Sequence, residues 1–464
     1  MTTARLSPTF RDPAGSLLIV DNSVVRTIHP SARQAVLEFL ASPFCLRMQE
    51  RGDMVASIVD ETSDTLQLHH PKIAIPTYPW EWTPSQWVAA AELTLSLAEE
   101  GLKDGWILKD ATPLNVLFVG ARPVFVDILS FERHDPTASI WLAYGQYMRT
   151  FLLPLLTHRM LAWPLSLSLF KRDGYEPIEL YAALGWRQRL SRTAFWPITL
   201  PALLEKRKGS GDEAAKPRPV QKPELALHIL RGTLKDLRAR TRRALPEGAA
   251  TEWSDYTTTL THYTAAESDR KRAWMRHTLT TIFPGKTPGR VLDIGANTGE
   301  FSALAAEAGA EVIAIERDGA TADKLFRMSR EKGLNIQTIH ADISRPTPAA
   351  GWEYGEQSAL LPRLEEQFDL VLMLAVIHHL VLMEQIPLPA ILELCHRLTR
   401  SHLVIEWVPA EDPMYKSLMR GRTELYGGLT EADLLAATGP GFDLLEREAL
   451  ANGRVLFLFQ KRVS

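Results

Sequence analysis

The feature that most constrains this chain is an alternation that begins at Arg290. Short β-branched or apolar runs take turns with stretches of helical period: RVLDIG, TGEFSALAAEAG, EVIAIE, ATADKLFRMSREKG, IQTIHAD, FDLVLMLAVIHHL, ILELCHRLT and HLVIEW. Strands joined through helices lie side by side in a mostly parallel sheet, and such a sheet must be covered by helices on both faces. The closing pair, FDLLEREAL and GRVLFLFQK, has no helix between its members. It reads as a hairpin that adds an antiparallel edge strand.

The chain has 464 residues, and single cores stop growing near roughly 250–300 residues, so a second domain is expected. Composition shifts between Glu205 and Ala250, where EKRKGSGDEAAKPRPVQKPE precedes the basic amphipathic stretch LRGTLKDLRARTRR. The expected division is an N-terminal α+β domain over 1–204, a linker and basic helix over 205–250, and the α/β domain over 251–464. The basic helix is expected to present a solvated face between domains.

A formal charge of -3 gives no bulk attraction to polyanions, so no nucleic-acid binding is expected. The two cysteines, Cys45 and Cys395, have no CxxC neighbour, which predicts neither a disulfide framework nor a metal site and fits a reducing cytoplasm. The most apolar stretch, Ile140 to Phe170, is broken by Arg149, Pro154, His158, Arg159 and Pro164, so no membrane span is expected. The sequence sets no oligomeric state.

The chemistry gathers at strand ends. Val291 to Gly299, VLDIGANTG, puts a buried strand directly before a glycine turn and a helix starting near Thr298. Gly295 is expected to let the backbone turn sharply, and Gly299 to let a ligand approach the chain. The spacing is not the dinucleotide fingerprint G-x-G-x-x-G, because Asp293 closes the strand and Asn297 stands in the turn. An acid there repels phosphate and suits a ligand with an amine and a sulfonium, the charge pattern of S-adenosylmethionine. Glu316 ends the next strand, where a carboxylate can accept two ribose hydroxyls. Asp342 ends a third strand, either facing an adenine amino group or capping a helix.

With motif VLDIGANTGEFS, Glu316 and FDLVLMLAVIHHL, this region resembles the class I S-adenosylmethionine-dependent methyltransferases, over about 200 residues. That resemblance implies a Rossmann-like fold and cofactor contacts from Asp293, Gly295, Asn297, Gly299, Glu316 and Asp342. Asn297 departs from the usual middle glycine.

Methyl transfer from a sulfonium depends mostly on positioning, with a base where the acceptor is protonated. The reacting atoms belong beyond the ends of the central strands. There, His378 and His379 follow the fourth strand, where one can take a proton or the pair can only shape the turn; Glu406 ends the fifth, where it can touch substrate or meet a neighbouring backbone amide or basic side chain. His378 and Glu406 are the candidate catalytic residues. The insertion SRPTPAAGWEYGEQSALLPR, with Trp352, Glu356 and Arg363, reads as either a lid or an ordinary surface loop, and Trp253, Tyr256 and Tyr263 as either a cover for the cofactor or a dock for the linker.

In the first domain, ILKDATPLNVLFVGARPVFVDILSF spans Ile107 to Phe131 and sets Asp110 and Asn115 at D-x4-N spacing, then Asp127 after a hairpin. This resembles the catalytic loop and metal-binding acid of protein-kinase-like folds. The rest departs from that family, with no G-x-G-x-x-G loop and no V-A-I-K strand. The resemblance therefore leaves two roles open, phosphotransfer and a degenerate module that binds or presents substrate. PTYPWEW at 76–82 and WLAYGQY at 141–147 join the segments above in a resemblance to a bacterial methyltransferase family that includes the nodulation protein NoeA. The aromatic cluster Tyr78, Trp80 and Trp82 reads as core or as a surface for a ring-shaped ligand. The expected protein is a methyltransferase acting on a small-molecule or glycan-type acceptor, with the first domain selecting substrate. A bifunctional kinase-methyltransferase and a protein or RNA methyltransferase are the alternatives.

Overall fold

The computed structural model describes residues 9, 11–20, 23–60, 65–207, 222–245, 264–286, 289–419 and 429–462. Most of the linker and the three aromatics Trp253, Tyr256 and Tyr263 lie outside the described residues. The chain divides into two compact units, 1–248 with 350–357, and 249–349 with 358–464.

In the first unit an antiparallel sheet runs in the order Gly15–Val20, Ser23–Ile28, Gln67–Pro71, Ile58–Asp60. The helix Pro84–Gly101 is the core of this unit. Thr83 and Gln86 form a capping box at its start, with Pro84 in the first turn, where its missing N–H costs nothing. Its Trp87, Ala90, Ala91, Leu95 and Ala98 are fully buried. Two small antiparallel pairs follow, Trp106–Leu108 with Phe131–Arg133 and Val116–Val119 with Arg122–Phe125.

The basic helix, Pro223–Ala244, is not a solvated face. Leu230, Leu234, Leu237, Thr241 and Ala244, at spacings of three or four, are buried. Arg238 bonds Glu99 at 2.7 Å and Ser96 at 3.0 Å, and Arg242 bonds Glu92. Both acids lie on Pro84–Gly101, so the arginines are consumed in docking the helix within the first unit. Composition marked the helix correctly; its charge was no guide to exposure.

In the second unit seven strands lie in the order Ile336–His340, Glu311–Glu316, Arg290–Ile294, Phe368–Leu374, Thr399–Trp407, Val455–Lys461, Phe442–Ala449. The first five are parallel and the last two form the antiparallel edge. The alternation in the sequence therefore gives the sheet it demanded. Arg290–Ile294 sits centrally: the chain builds outward from it on one side, then returns to build the other. Helices Ala265–Ile282, Glu300–Glu307, Gly319–Lys332 and Leu388–Leu398 are among those covering it.

Candidate functional site

Where strand order reverses, the loops after neighbouring strands part and leave a crevice at the carboxyl rim. A cavity of about 390 Å³ opens there, within the roughly 300–1,000 Å³ usual for small-molecule sites. Asp293, Gly295, Asn297, Glu316 and Asp342 line it, as do Lys271, His379 and Arg454.

The strand end holds Asp293 almost wholly buried, with its Oδ2 accepting from Ser302 Oγ at 2.6 Å. Burial pushes its carboxyl up to about 6, against the Ser302 hydrogen bond and the nearby Lys271 charge. Glu316 accepts from the Asn297 N–H with Oε2 and from the Asp318 N–H with Oε1, each at 2.8 Å. It is also raised, first by burial, with these amides pulling the other way. Asn297 is left-handed, at φ 51, and its N–H meets Glu316. Asn tolerates that region better than most residues, which is why it serves in the glycine's place.

Gly295, at φ 72, leaves no room for a side chain: a Cβ would stand 2.6 Å from Val376 Cγ2. Gly299 has a different task from the one its motif suggests. It does not line the cavity, and a Cβ would meet Leu325 Cδ1 at 2.9 Å. Its absent side chain, at φ 89, leaves room for Leu325 and Met328 of the helix Gly319–Lys332. Asp342 caps no helix; its Oδ1 takes the N–H and the hydroxyl of Ser344, and it reaches Arg317 at 3.7 Å.

A family model described as a methyltransferase domain matches residues 266–422. Residues 266–422 are thus similar to methyltransferases, and the mixed sheet with its covering helices is Rossmann-like, a fold whose methyltransferases take S-adenosylmethionine. The nodulation protein NoeA of Rhizobium meliloti is 26% identical over 98% of this chain and 96% of its own length. Among solved structures, magnesium protoporphyrin IX methyltransferase from Synechocystis PCC 6803 is 16% identical, with a TM-score of 0.33 over 48% of this chain and 92% of that one. WbdD is 18% identical, with a TM-score of 0.32 over 43% of this chain and 40% of its own.

In the second unit the two histidines part company. His379 lines the cavity; His378 does not, lying buried behind it, its ring 6.4 Å from Tyr415 and 4.2 Å from His379. Neither nitrogen of His378 has a partner among the described residues. Burial lowers both rings, and the charges of Arg317 and Arg454 help bring His379 down to about 4. His379 thus replaces His378 as the candidate base.

Glu406 also lies behind the wall. It is fully buried and pairs with Lys271 Nζ at 2.6 Å and Arg454 Nη1 at 3.4 Å, while Arg454 Nε reaches Asp412 at 2.9 Å. A carboxylate enclosed by two cations has no face left for substrate. What it does is hold Lys271 and Arg454, both of which line the cavity. Sequence reading missed these cations. Lys271 lies in a helix before the motif, and Arg454 follows the Asn452-Gly453 turn between the last two strands.

The insertion is shared out by the fold. Ala350–Gln357 belongs to the first unit, where Glu356 pairs with Arg11 at 2.8 Å. Gly351 and Gln357 line a second cavity, of about 210 Å³, with Trp80 and Tyr175. Trp352 is exposed and Arg363 buried.

Asp110, Asn115 and Asp127 come into one neighbourhood in the first unit. Asn115 Nδ2 donates to Ser130 Oγ at 3.0 Å, Ser130 donates to Asp127, and Arg26 Nη1 lies 3.1 Å from Asp127. Burial raises the Asp110 carboxyl; Lys109 opposes this and the Asp127 charge adds to it. Among the described residues no group of three or more His, Cys, Asp or Glu is placed to hold a metal. Trp82 is wholly buried, packed at 5.1 Å on Phe118, and serves the core. No helix among the described residues is long and apolar enough to cross a membrane.

Proposed function

We propose that this protein transfers the methyl group of S-adenosylmethionine to a small-molecule or glycan-type acceptor, which the first unit selects. The carrying observation is that three strand-end acids, Asp293, Glu316 and Asp342, line one cavity together with Lys271 and Arg454. The donor set fits the group: acids for its hydroxyls and amines, cations for its carboxylate, and no phosphate cradle. When bound, the cofactor supplies a methyl group already activated by a sulfonium.

The chain's own residues then have separable tasks. Glu316, fixed by two backbone amides, has the remaining lone pairs of its oxygens for the ribose hydroxyls. Asp342 takes the adenine amino group. Asp293, raised to about 6, is still mostly ionised at pH 7 and balances the ammonium. Lys271 and Arg454, steadied by Glu406, face the carboxylate end. His379, pushed down to about 4, is neutral throughout the physiological range and is placed as the proton acceptor, a weaker base than a free imidazole.

The test is transfer of labelled methyl from the cofactor into fractionated metabolites, with S-adenosylhomocysteine as co-product and Asp293→Ala as the inactive control. His379→Ala is expected to lower kcat by about 100-fold, and His378→Ala to leave it nearly unchanged. Full turnover by His379→Ala removes that residue from the mechanism.

A second reading, phosphotransfer by a kinase-like first unit, draws support from the gathering of Asp110, Asn115 and Asp127. Against it stands Arg26, whose guanidinium already balances Asp127 where a metal ion would be needed. We therefore assign the first unit to substrate selection. Metal-dependent ATP binding that Asp127→Ala abolishes would reverse the assignment.

A further inference from the structure

The helical cluster Pro177–Arg207 carries a set of side chains that neither the cofactor site nor the acid cluster uses. Its last stretch is continuous helix from Arg192 to Arg207, with a π-turn at Phe195–Thr199. Trp196, Leu200, Leu203 and Leu204 recur at i, i+4, i+7 and i+8, the spacing of one helix face. Such a face ordinarily packs inward. Here Ile198 and Ala202, on the other side, are the buried ones, while Trp196 is 59% exposed and Leu204 50%. Trp186 and Leu190, in the preceding turn of the same cluster, are 68% and 67% exposed.

The charges around this face are one-sided. From Trp186 to Lys206 the chain carries Arg187, Arg189, Arg192 and Lys206 against the single acid Glu205. Elsewhere arginines are spent on carboxylates, as Arg238 and Arg242 are. None of these four cations makes an ion pair among the described residues. Three of them rest on rings instead: Arg187 lies 5.1 Å from the centre of Trp186, and Arg189 and Lys206 lie 4.2 and 4.8 Å from that of Tyr181, Arg189 also donating to the Ala182 carbonyl at 3.4 Å. Unspent cations beside exposed tryptophan and leucine match the two demands of an anionic lipid surface. The cations meet the headgroups, and the apolar face enters the boundary below them. A helix lying in that boundary needs no transmembrane length.

We propose that the cluster Pro177–Arg207 is a peripheral membrane-binding surface that seats the protein on anionic lipid. The negative charge of the whole chain does not oppose this, because headgroups sense charge only within about a Debye length, roughly 8–10 Å. The surface draws on neither the methyltransferase activity nor its acceptor.

Flotation of the full chain with vesicles tests it, using phosphatidylcholine alone and phosphatidylcholine carrying a quarter phosphatidylglycerol. The expected result is flotation with the anionic vesicles only, weakened at 0.5 M salt. Trp196→Glu and Trp186→Glu, both at exposed positions, are expected to lower the bound fraction roughly tenfold or more. Arg187→Gln with Arg192→Gln is expected to lower it without removing an apolar group. Circular dichroism and cooperative thermal unfolding of each variant report that the fold is intact. Three outcomes overturn the proposal: no flotation with either vesicle, equal flotation with both, or sedimentation showing a dimer that Trp196→Glu dissociates, which would make this face a contact between copies of the chain.

Discussion

Two acid clusters, one in each unit, are treated differently by the fold. In the second unit Asp293, Glu316 and Asp342 stand at successive strand ends and open on a cavity. In the first, Asp127 is closed off by Arg26 and Ser130. Glu406 repeats the closed pattern inside the second unit, between Lys271 and Arg454. A carboxylate enclosed by cations, as Glu406 is, has no side left for a ligand, whereas Asp342, with Arg317 at 3.7 Å on one side, still opens on the cavity. Backbone amides, which hold Glu316, fix a carboxylate while leaving it lone pairs; a guanidinium cancels its charge.

The contrast breaks most visibly at Glu406. Removing it takes the buried counter-ion from Lys271 and leaves Arg454 with Asp412, so Glu406→Ala is expected to destabilise the protein by about 3–5 kcal/mol, read by chemical denaturation. If Glu406 faced substrate instead, the variant would keep its stability and lose only turnover. Glu316→Ala should behave inversely. It is expected to weaken cofactor binding by about 2–3 kcal/mol, through lost charge-assisted hydrogen bonds, as measured by calorimetry, with a smaller change in stability.

The pH dependence sharpens the same point. Burial raises the Asp293 carboxyl in the folded protein to about 6 from an ordinary 3.8. Its protonated form therefore gains stability on folding, and that gain is lost as pH rises through the window from 3.8 to about 6. Pairing with the ammonium needs the ionised form, so cofactor affinity should fall about tenfold for each pH unit below 6. Asp293→Asn is expected to bind weakly and to lack this slope; a slope unchanged in the variant would move the titration to another group. The smallest effect is expected at the closed cluster of the first unit. Arg26→Met frees Asp127 yet should leave cofactor affinity within about twofold, roughly 0.4 kcal/mol. A larger change would show that this cluster bears on the cofactor site.

Much of the second unit was legible because its information is local. The period of the strands, the acid at each strand end and the glycine turn are all written in neighbouring residues, and each constrains the backbone directly. Asp293, Gly295, Asn297, Glu316 and Asp342 reach the cavity for that reason. Which of two adjacent histidines faces the cavity depends on how one short helix, Ile377–Leu382, is rotated. That rotation is set by packing against Tyr415 and its neighbours, far along the chain.

The sequence by itself determined the alternating sheet, its antiparallel edge and the acids on its rim, since these follow from periodicity and from charges near the turns. Tertiary structure alone decided that Gly299 makes room for Leu325, that Glu406 is spent on Lys271 and Arg454, and that the basic helix Pro223–Ala244 is docked. Each of these turns on a partner dozens of residues away or more, except Gly299, whose neighbour Leu325 lies on the next helix. Burial and ion pairing are properties of where the chain returns, and no local pattern records that.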